Sequence, residues 1–173
     1  IEMEKPGASG SLLDGNQQSP SQRLHELGIV LPKPWAITPT THARFVRVVG
    51  KRVMISGHLP ISDDGELCPP FGKVGAEVSE AEAVAIARRV MLGIFSSLVR
   101  EIGSLDRIGH WVQLFGMVNA APGFHGFPAV IDGASILVSQ VFGEAGQHSR
   151  VAIGVAGLPF NAPLEVQAEL ELT

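Results

Sequence analysis

The chain contains the stretch Ser149-Arg150-Val151-Ala152-Ile153-Gly154-Val155-Ala156-Gly157-Leu158-Pro159, whose alternation predicts a β-strand. Its two faces differ in kind: Val151, Ile153 and Val155 lie on one, and Arg150, Ala152, Gly154 and Ala156 lie on the other. A guanidinium beside such small residues has room for a planar anion, and its fork binds carboxylates through two parallel hydrogen bonds. The stretch therefore predicts either a carboxylate pocket or an exposed arginine on a solvated strand face.

The segments around this strand predict the rest of the fold. A second strand alternates cleanly over 164–172, and a helix over 80–102 begins with a capping box of Ser79 and Glu82. The other predicted elements are a short helix at 21–28 capped by Ser21, strands at 43–49, 52–58 and 108–119, a helix at 129–142, and the strand at 149–157. The order ββαβαββ predicts an α+β domain over 21–173, with one mixed sheet and two helices on one face. Residues 1–20 are predicted to form a disordered tail.

The composition indicates self-association. At 173 residues the chain is long enough for one domain with a core. Charged residues make up 17% of the chain, below the roughly 25% that is usual in soluble proteins. The helix-free face of the predicted sheet also needs a cover. We therefore expect a homo-oligomer.

The composition also argues against several classes of partner. A net charge of −4 and a pI of 5.8 argue against a nucleic-acid surface. Cys68 is the only cysteine, and the histidines lack the spacing of metal ligands, so we expect no metal and no cofactor. No apolar run reaches the ~20 residues that cross a bilayer, and no signal peptide is visible. We therefore expect no membrane association and a cytoplasmic location.

Three motifs occur in order: Ile55-Ser56-Gly57-His58-Leu59-Pro60, Ser149-Arg150 with Leu158-Pro159 following, and Leu164-Glu165-Val166. With the order of helices and strands, they make residues 40–172 resemble the Rid family (reactive intermediate deaminases, also called the YjgF or L-PSP endoribonuclease-like family). The resemblance implies a chorismate-mutase-like fold and a homotrimer whose sheets form a central barrel, with sites in clefts between subunits. The expected activity is hydrolytic deamination of reactive enamines and imines derived from amino acids, without a cofactor.

The resemblance also implies roles for individual residues. Arg150 is expected to bind the substrate carboxylate and Glu165 to position the water, although alternation alone favours a solvated edge glutamate. The remaining expected pocket residues are Ser56 and Gly57, whose turn can offer backbone N–H groups, His58, Asp132 and Ala152. Asp132 aligns with a family asparagine only if a one-residue gap is allowed. His58 replaces a family glutamine, and the sequence leaves open whether it carries protons or caps the strand.

One departure from the family supports another function. Active members often have a tyrosine where this chain has Ala43, and the chain contains no tyrosine. The alternative is therefore a non-catalytic trimeric protein that binds small carboxylates or regulates another protein. A ribonuclease, suggested by the older family name, is opposed by the acidic pI.

Overall fold

The computed structural model describes residues 18–38 and 42–173, and its centre is a five-stranded mixed sheet. The strands are β1 (Val46–Val49), β2 (Arg52–His58), β3 (Ile108–Asn119), β4 (Ser149–Val155) and β5 (Leu164–Leu172). They lie in the order β1-β2-β5-β3-β4. Only the pairing of β3 with β4 is parallel; the other three are antiparallel. This confirms the predicted α+β class and the mixed sheet.

Two long helices, α2 (Glu80–Ile102) and α3 (Phe127–Phe142), follow a short α1 (Pro20–Glu26). The predicted capping box starts α2, because the Ser79 hydroxyl accepts from the Glu82 N–H while the Glu82 carboxylate accepts from the Ser79 N–H. The apolar stripes of α2 and α3 pack on the same face of the sheet, where Val90, Leu98, Ile131 and Leu137 are fully buried. The predicted arrangement of two helices on one face is thereby confirmed.

Glycines set how closely α3 lies against its neighbours. A Cβ built on Gly133 would lie 2.0 Å from the carbonyl oxygen of Val84, so the backbones of α3 and α2 are in direct contact. A Cβ on Gly116 of β3 would lie 2.4 Å from the side chain of Ile131. Helix α3 therefore has little freedom to shift relative to α2 or the sheet.

Several predicted boundaries were wrong by one to three residues. Helix α1 is capped by Ser19 rather than Ser21, so residues 19 and 20 belong to this helix and not to the predicted tail. Residues 1–17 lie outside the described part of the chain, and the tail stays a prediction. Helix α3 begins at Phe127 rather than at residue 129, because Pro128 fits the first turn of a helix. Strand β1 begins at Val46 rather than at 43, and β4 ends at Val155 rather than at 157.

Within residues 18–38 and 42–173, no helix packs on the other face of the sheet. Ile153 of β4 lies on this face with 39% of its surface exposed, and Met117 of β3 is beside it in the register. The predicted trimer, which would bury these side chains, stays a prediction. Among the described residues, no helix is both long and apolar enough to span a bilayer.

Candidate functional site

Arg150, at the start of β4, is fixed by two side chains of α3. Its Nη1 donates to Asp132 Oδ1 at 2.6 Å and to Ser135 Oγ at 3.1 Å. The Arg150 side chain is 24% exposed and that of Asp132 is 52% exposed. The guanidinium is thus neither free in solvent nor enclosed.

The two contacts use one corner of the guanidinium. Nη1 has two N–H groups, and both are directed at α3. The edge formed by Nε and Nη2 makes no hydrogen bond to any residue within 18–38 or 42–173. Two parallel N–H groups on one edge are the arrangement that binds a carboxylate in bidentate fashion.

His148 is hydrogen-bonded to Ser135, one of the two side chains that contact Arg150. His148 Nδ1 lies 2.6 Å from the Gly146 carbonyl oxygen, which only accepts, so Nδ1 carries a proton. In the neutral ring Nε2 is then an acceptor, and the Ser135 hydroxyl, 3.0 Å away, donates to it. The Ser135 oxygen is left to accept from Arg150. With a neutral His148 ring, each hydrogen bond from Gly146 to Arg150 therefore has a defined direction.

The small residues beside Arg150 have a different role from the predicted one. We expected them to leave room for an anion. Instead, a Cβ on Gly154 would lie 2.5 Å from the ring of Phe127, and Ala152 is partly buried against the core beneath α3. The small side chains of β4 therefore make room for α3, and that prediction was wrong in its physical reason.

Glu165, on β5, lies against the backbone of β2. A Cβ built on Gly57 would lie 1.7 Å from Glu165 Oε1, so only glycine at position 57 leaves the carboxylate in this place. The pairing of β2 with β5 shifts register between Ile55 and His58, and this bulge brings Gly57 under the glutamate. Gly57 and Glu165, which the sequence analysis expected in the pocket separately, are therefore in direct contact.

The electrostatic state of Glu165 is unusual for a strand glutamate. Partial burial raises the pKa of its carboxyl above the ordinary value. Over the described ranges of the chain, no hydrogen bond or ion pair to this carboxylate is found to offset that effect. The side chain can therefore hold and release a proton closer to neutral pH than a solvated glutamate can.

The neighbouring Ser56 has no free hydrogen-bond donor for a ligand. Its N–H donates to the Phe45 carbonyl at 2.9 Å, and its hydroxyl donates to the Arg44 carbonyl at 2.6 Å. Both donors already have protein partners. The expectation that the Ser56 amide is available to a ligand was therefore wrong.

His58 points into the core. It is 1% exposed, its Nδ1 lies 2.7 Å from the Ser56 carbonyl oxygen, and its Nε2 lies 2.9 Å from Ser97 Oγ on α2. Burial, opposed by the bond to Ser56 and aided by the charge of Arg100, lowers the pKa of His58 to about 4. Both ring nitrogens of His58 therefore have protein partners in the core.

Arg150 and Glu165 do not meet within one chain. Arg150 is on the helix-bearing face, since it bonds to α3, whereas Glu165 alternates with the buried Leu164 and Val166 and so lies on the opposite face. Arg150 is level with Leu114 of β3, and Glu165 is level with Met117, three positions further. A single cleft with both side chains would need two copies of the chain.

Sequence reasoning missed Ser135 and His148. The signal was available for Ser135, because Asp132 and Ser135 are three residues apart and therefore share one side of a helix. His148 could not be found in this way, since its contact depends on the turn after α3. Within the described parts of the chain, no three His, Cys, Asp or Glu side chains converge as a metal site would require.

Comparison with known proteins gives consistent matches. The sequence profile of the YjgF/chorismate-mutase-like, putative endoribonuclease family matches residues 21–171. Protein TCP17 of Trypanosoma cruzi is 40% identical over 150 residues, which are 86% of this chain and 91% of TCP17.

Solved structures share the fold. A putative endoribonuclease of Shewanella oneidensis is 32% identical with a TM-score of 0.82, covering 90% of this chain and 100% of its own. Protein Atu1372 of Agrobacterium tumefaciens is 34% identical with a TM-score of 0.76, covering 87% and 89%. TdcF of E. coli, solved with bound serine, is 19% identical with a TM-score of 0.51, covering 82% and 94%, which is a likeness of fold alone.

Proposed function

The chain belongs to the YjgF/chorismate-mutase-like family, and on that premise we propose that it hydrolyses reactive imines and enamines derived from amino acids. Arg150 binds the substrate carboxylate, and Glu165 positions the water and moves its protons. Such substrates are already labile, so that orientation and proton transfer suffice and neither a metal nor an organic cofactor is required.

The observation that carries this proposal is the state of the Arg150 guanidinium. Asp132 and Ser135 hold it through Nη1 alone, which fixes its plane and leaves the Nε and Nη2 edge for a ligand. A fixed fork loses less conformational freedom on binding than a mobile side chain does. The carboxylate of a 2-imino acid fits this edge, and the reactive imine carbon is bonded directly to that carboxylate.

Glu165 supplies the proton transfers. A general acid–base group works best when its pKa is near the working pH, and burial shifts the pKa of Glu165 in that direction. The carboxylate accepts a proton from water as the water oxygen adds to the carbon of the protonated imine, which gives a neutral amino alcohol. Glu165 then returns that proton to the nitrogen, and the C–N bond breaks as the hydroxyl loses its own proton to the carboxylate or to solvent and the C=O bond forms. The products are a 2-oxo acid and ammonia, with the proton of the imine released.

Because the two side chains occupy opposite faces of one sheet, we place the site between neighbouring copies in a homotrimer. Each cleft would contain Arg150 of one copy and the Glu165–Gly57 pair of the next. The half-exposed Ile153 face is the apolar surface that such a trimer would cover.

The test uses an imine generated in solution, such as the 2-imino acid that an amino acid oxidase forms from alanine. The protein should accelerate ammonia release above the spontaneous rate, and Arg150→Ala and Glu165→Gln should each lower that acceleration roughly 100-fold or more. Arg52→Ala and Glu169→Gln are matched controls, since they break another arginine–glutamate pair of the sheet. Imine decay at the buffer rate with the wild-type protein would overturn the proposal.

The alternative is a carboxylate-binding protein without catalysis, which the exposed Ala43 ahead of β1 favours, since it stands where active members often have a tyrosine. The same assay separates the two functions. Binding of small carboxylates that depends on Arg150, is unchanged by Glu165→Gln and is accompanied by no turnover identifies the binding protein. RNA cleavage that Arg150→Ala abolishes would instead support a ribonuclease.

A further inference from the structure

His148 belongs to a series of hydrogen bonds that ends at the arginine of the candidate site. Its Nε2 accepts from the Ser135 hydroxyl at 3.0 Å, and the Ser135 oxygen accepts from Arg150 Nη1 at 3.1 Å. His148 is thus two hydrogen bonds away from the guanidinium, with one serine between them. Any influence of the imidazole on the orientation of Arg150 can pass through that serine.

The other end of the series is anchored in the turn after α3. His148 Nδ1 donates to the Gly146 carbonyl oxygen at 2.6 Å. Gly146 is buried, and a Cβ built on it would lie 2.9 Å from the Val138 carbonyl oxygen, so the turn packs directly on the backbone of α3. Because a carbonyl only accepts, it keeps a proton on Nδ1, and the neutral ring presents a bare Nε2 to Ser135.

The bond to His148 decides how the Ser135 hydroxyl is oriented. A serine inside a helix can rotate so that it donates to the carbonyl four residues earlier, which here is that of Ile131. Its lone pairs then point in another direction. A hydroxyl has one proton to donate, so a proton that is held by Nε2 cannot also be given to the helix backbone. The oxygen of Ser135 therefore stays directed at Arg150.

Resting on the proposed role of Arg150 in binding the substrate carboxylate, we propose that His148 is a positioning residue that acts through Ser135. The fixed hydroxyl and the Asp132 carboxylate together hold both N–H groups of Nη1, which sets the plane of the guanidinium. With the carboxylate alone, the guanidinium could pivot about a single hydrogen bond and carry its ligand-binding edge with it. In this role His148 contacts no ligand and moves no proton.

A role in folding alone makes a different prediction. If His148 only stabilises the turn after α3, its replacement lowers the melting temperature and leaves the affinity for carboxylates unchanged. If it acts through Ser135, its replacement weakens carboxylate binding, and does so only while Ser135 is present. Glutamine and leucine are a matched pair of replacements for His148, because the amide oxygen of glutamine can accept from a hydroxyl and leucine cannot.

The experiment measures the dissociation constant of propanoate by ligand-observed NMR at pH 8, above the range in which histidines ordinarily titrate. Ser135→Ala should weaken binding roughly 5-fold and His148→Leu roughly 3-fold, because a hydrogen bond that orients a charged group is lost or loosened. His148→Gln should bind almost as well as the wild type. In the double variant, His148→Leu should add nothing to the effect of Ser135→Ala, since the two residues act in series.

Ser139→Ala and His25→Leu make the same replacements at exposed positions of α3 and α1 and should leave the dissociation constant unchanged. Additive effects of the Ser135 and His148 replacements, or wild-type affinity in His148→Leu, would overturn the positioning role. Should the leucine variant fail to fold, His148→Asn gives the same test, because its shorter amide matches the Nδ1 half of the ring and leaves Ser135 without an acceptor.

These measurements do not depend on turnover. Coupled effects of Ser135 and His148 on binding, found without imine hydrolysis, would sink the proposed deamination and leave this inference standing. Imine hydrolysis by a protein in which the two effects are additive would do the reverse. Propanoate binding that survives Arg150→Ala, or no binding to the wild-type protein, would remove the carboxylate site on which both depend.

Discussion

Arg150 and Glu165 occupy opposite electrostatic situations in one sheet. Arg150 has a carboxylate and a hydroxyl as partners and is held in one orientation by α3. Glu165 has no such partner in the described chain, and its burial against Gly57 raises the pKa of its carboxyl. The first group is built to hold a charge in place, and the second is built to gain and lose one. Under the proposed function, this contrast suits Arg150 as the group that binds the substrate and Glu165 as the group that carries protons. Substitutions that affect each group can test it.

The largest effect is expected from Gly57→Ala. The new methyl group would overlap Glu165 Oε1, and the flexible glutamate rather than the backbone would move. Imine hydrolysis should fall roughly 100-fold, which is the lower end of the contribution of acid–base groups. The thermal midpoint should change little. Steady-state ammonia release and a melting curve on the same sample measure both quantities.

Gly157→Ala is the matched control, since nothing lies within 4 Å of a Cβ at that position. Full activity in Gly57→Ala would show that the position of Glu165 is unimportant for the reaction.

A second prediction concerns how the burial of His58, acting through its pKa, makes the stability of the fold depend on pH. His58 has two partners, yet desolvation lowers its pKa to about 4. Between that value and the ordinary 6.5 the unfolded chain binds more protons than the folded one, so stability falls as the pH falls. We expect a loss of about 1 kcal/mol between pH 6 and pH 5 from this residue, measured by urea unfolding.

His58→Gln should remove that slope, whereas His110→Gln, at an exposed position, should retain it. If the glutamine variant loses stability with acid as steeply as the wild type, another group is responsible.

The smallest effect concerns the stability cost of Glu165. Its raised pKa means that the folded state binds the proton more tightly than the unfolded state, so stability falls as the pH rises through the unfolded and then the folded pKa. Glu165→Gln should therefore unfold at a slightly higher temperature than the wild type at about pH 8, and at the same temperature at about pH 3.

Glu169→Gln supplies the contrast on the same strand, because Glu169 is paired with Arg52 and gains nothing from losing its charge. A Glu165→Gln variant that is less stable than the wild type at high pH would show that the carboxylate has a stabilising partner.

The fold could be predicted wherever a local signal decides the structure. The capping box at Ser79 and the glycine at 103 determined both ends of α2, and the alternation from Leu164 determined β5. The predicted start of α1 was wrong because Ser19 and Ser21 give similar local signals, although Pro20 between them favours the earlier cap.

The site was harder to predict because its contacts are not local. Arg150 and Glu165 could be selected by motif and spacing, but the Arg150–Asp132 pair exists only because α3 packs over β4. The contact between Glu165 and Gly57 likewise depends on a bulge in the pairing of β2 with β5. The small residues of β4 were misinterpreted, since a row of small side chains accommodates a packed helix as readily as a ligand.

The contact between Gly133 and the Val84 carbonyl has a consequence for how this scaffold can diversify. Two helices whose backbones touch cannot slide apart or rotate to accept a larger or differently charged ligand without breaking the core. Relatives that keep this contact can acquire a new preference only by exchanging individual side chains around a stationary framework.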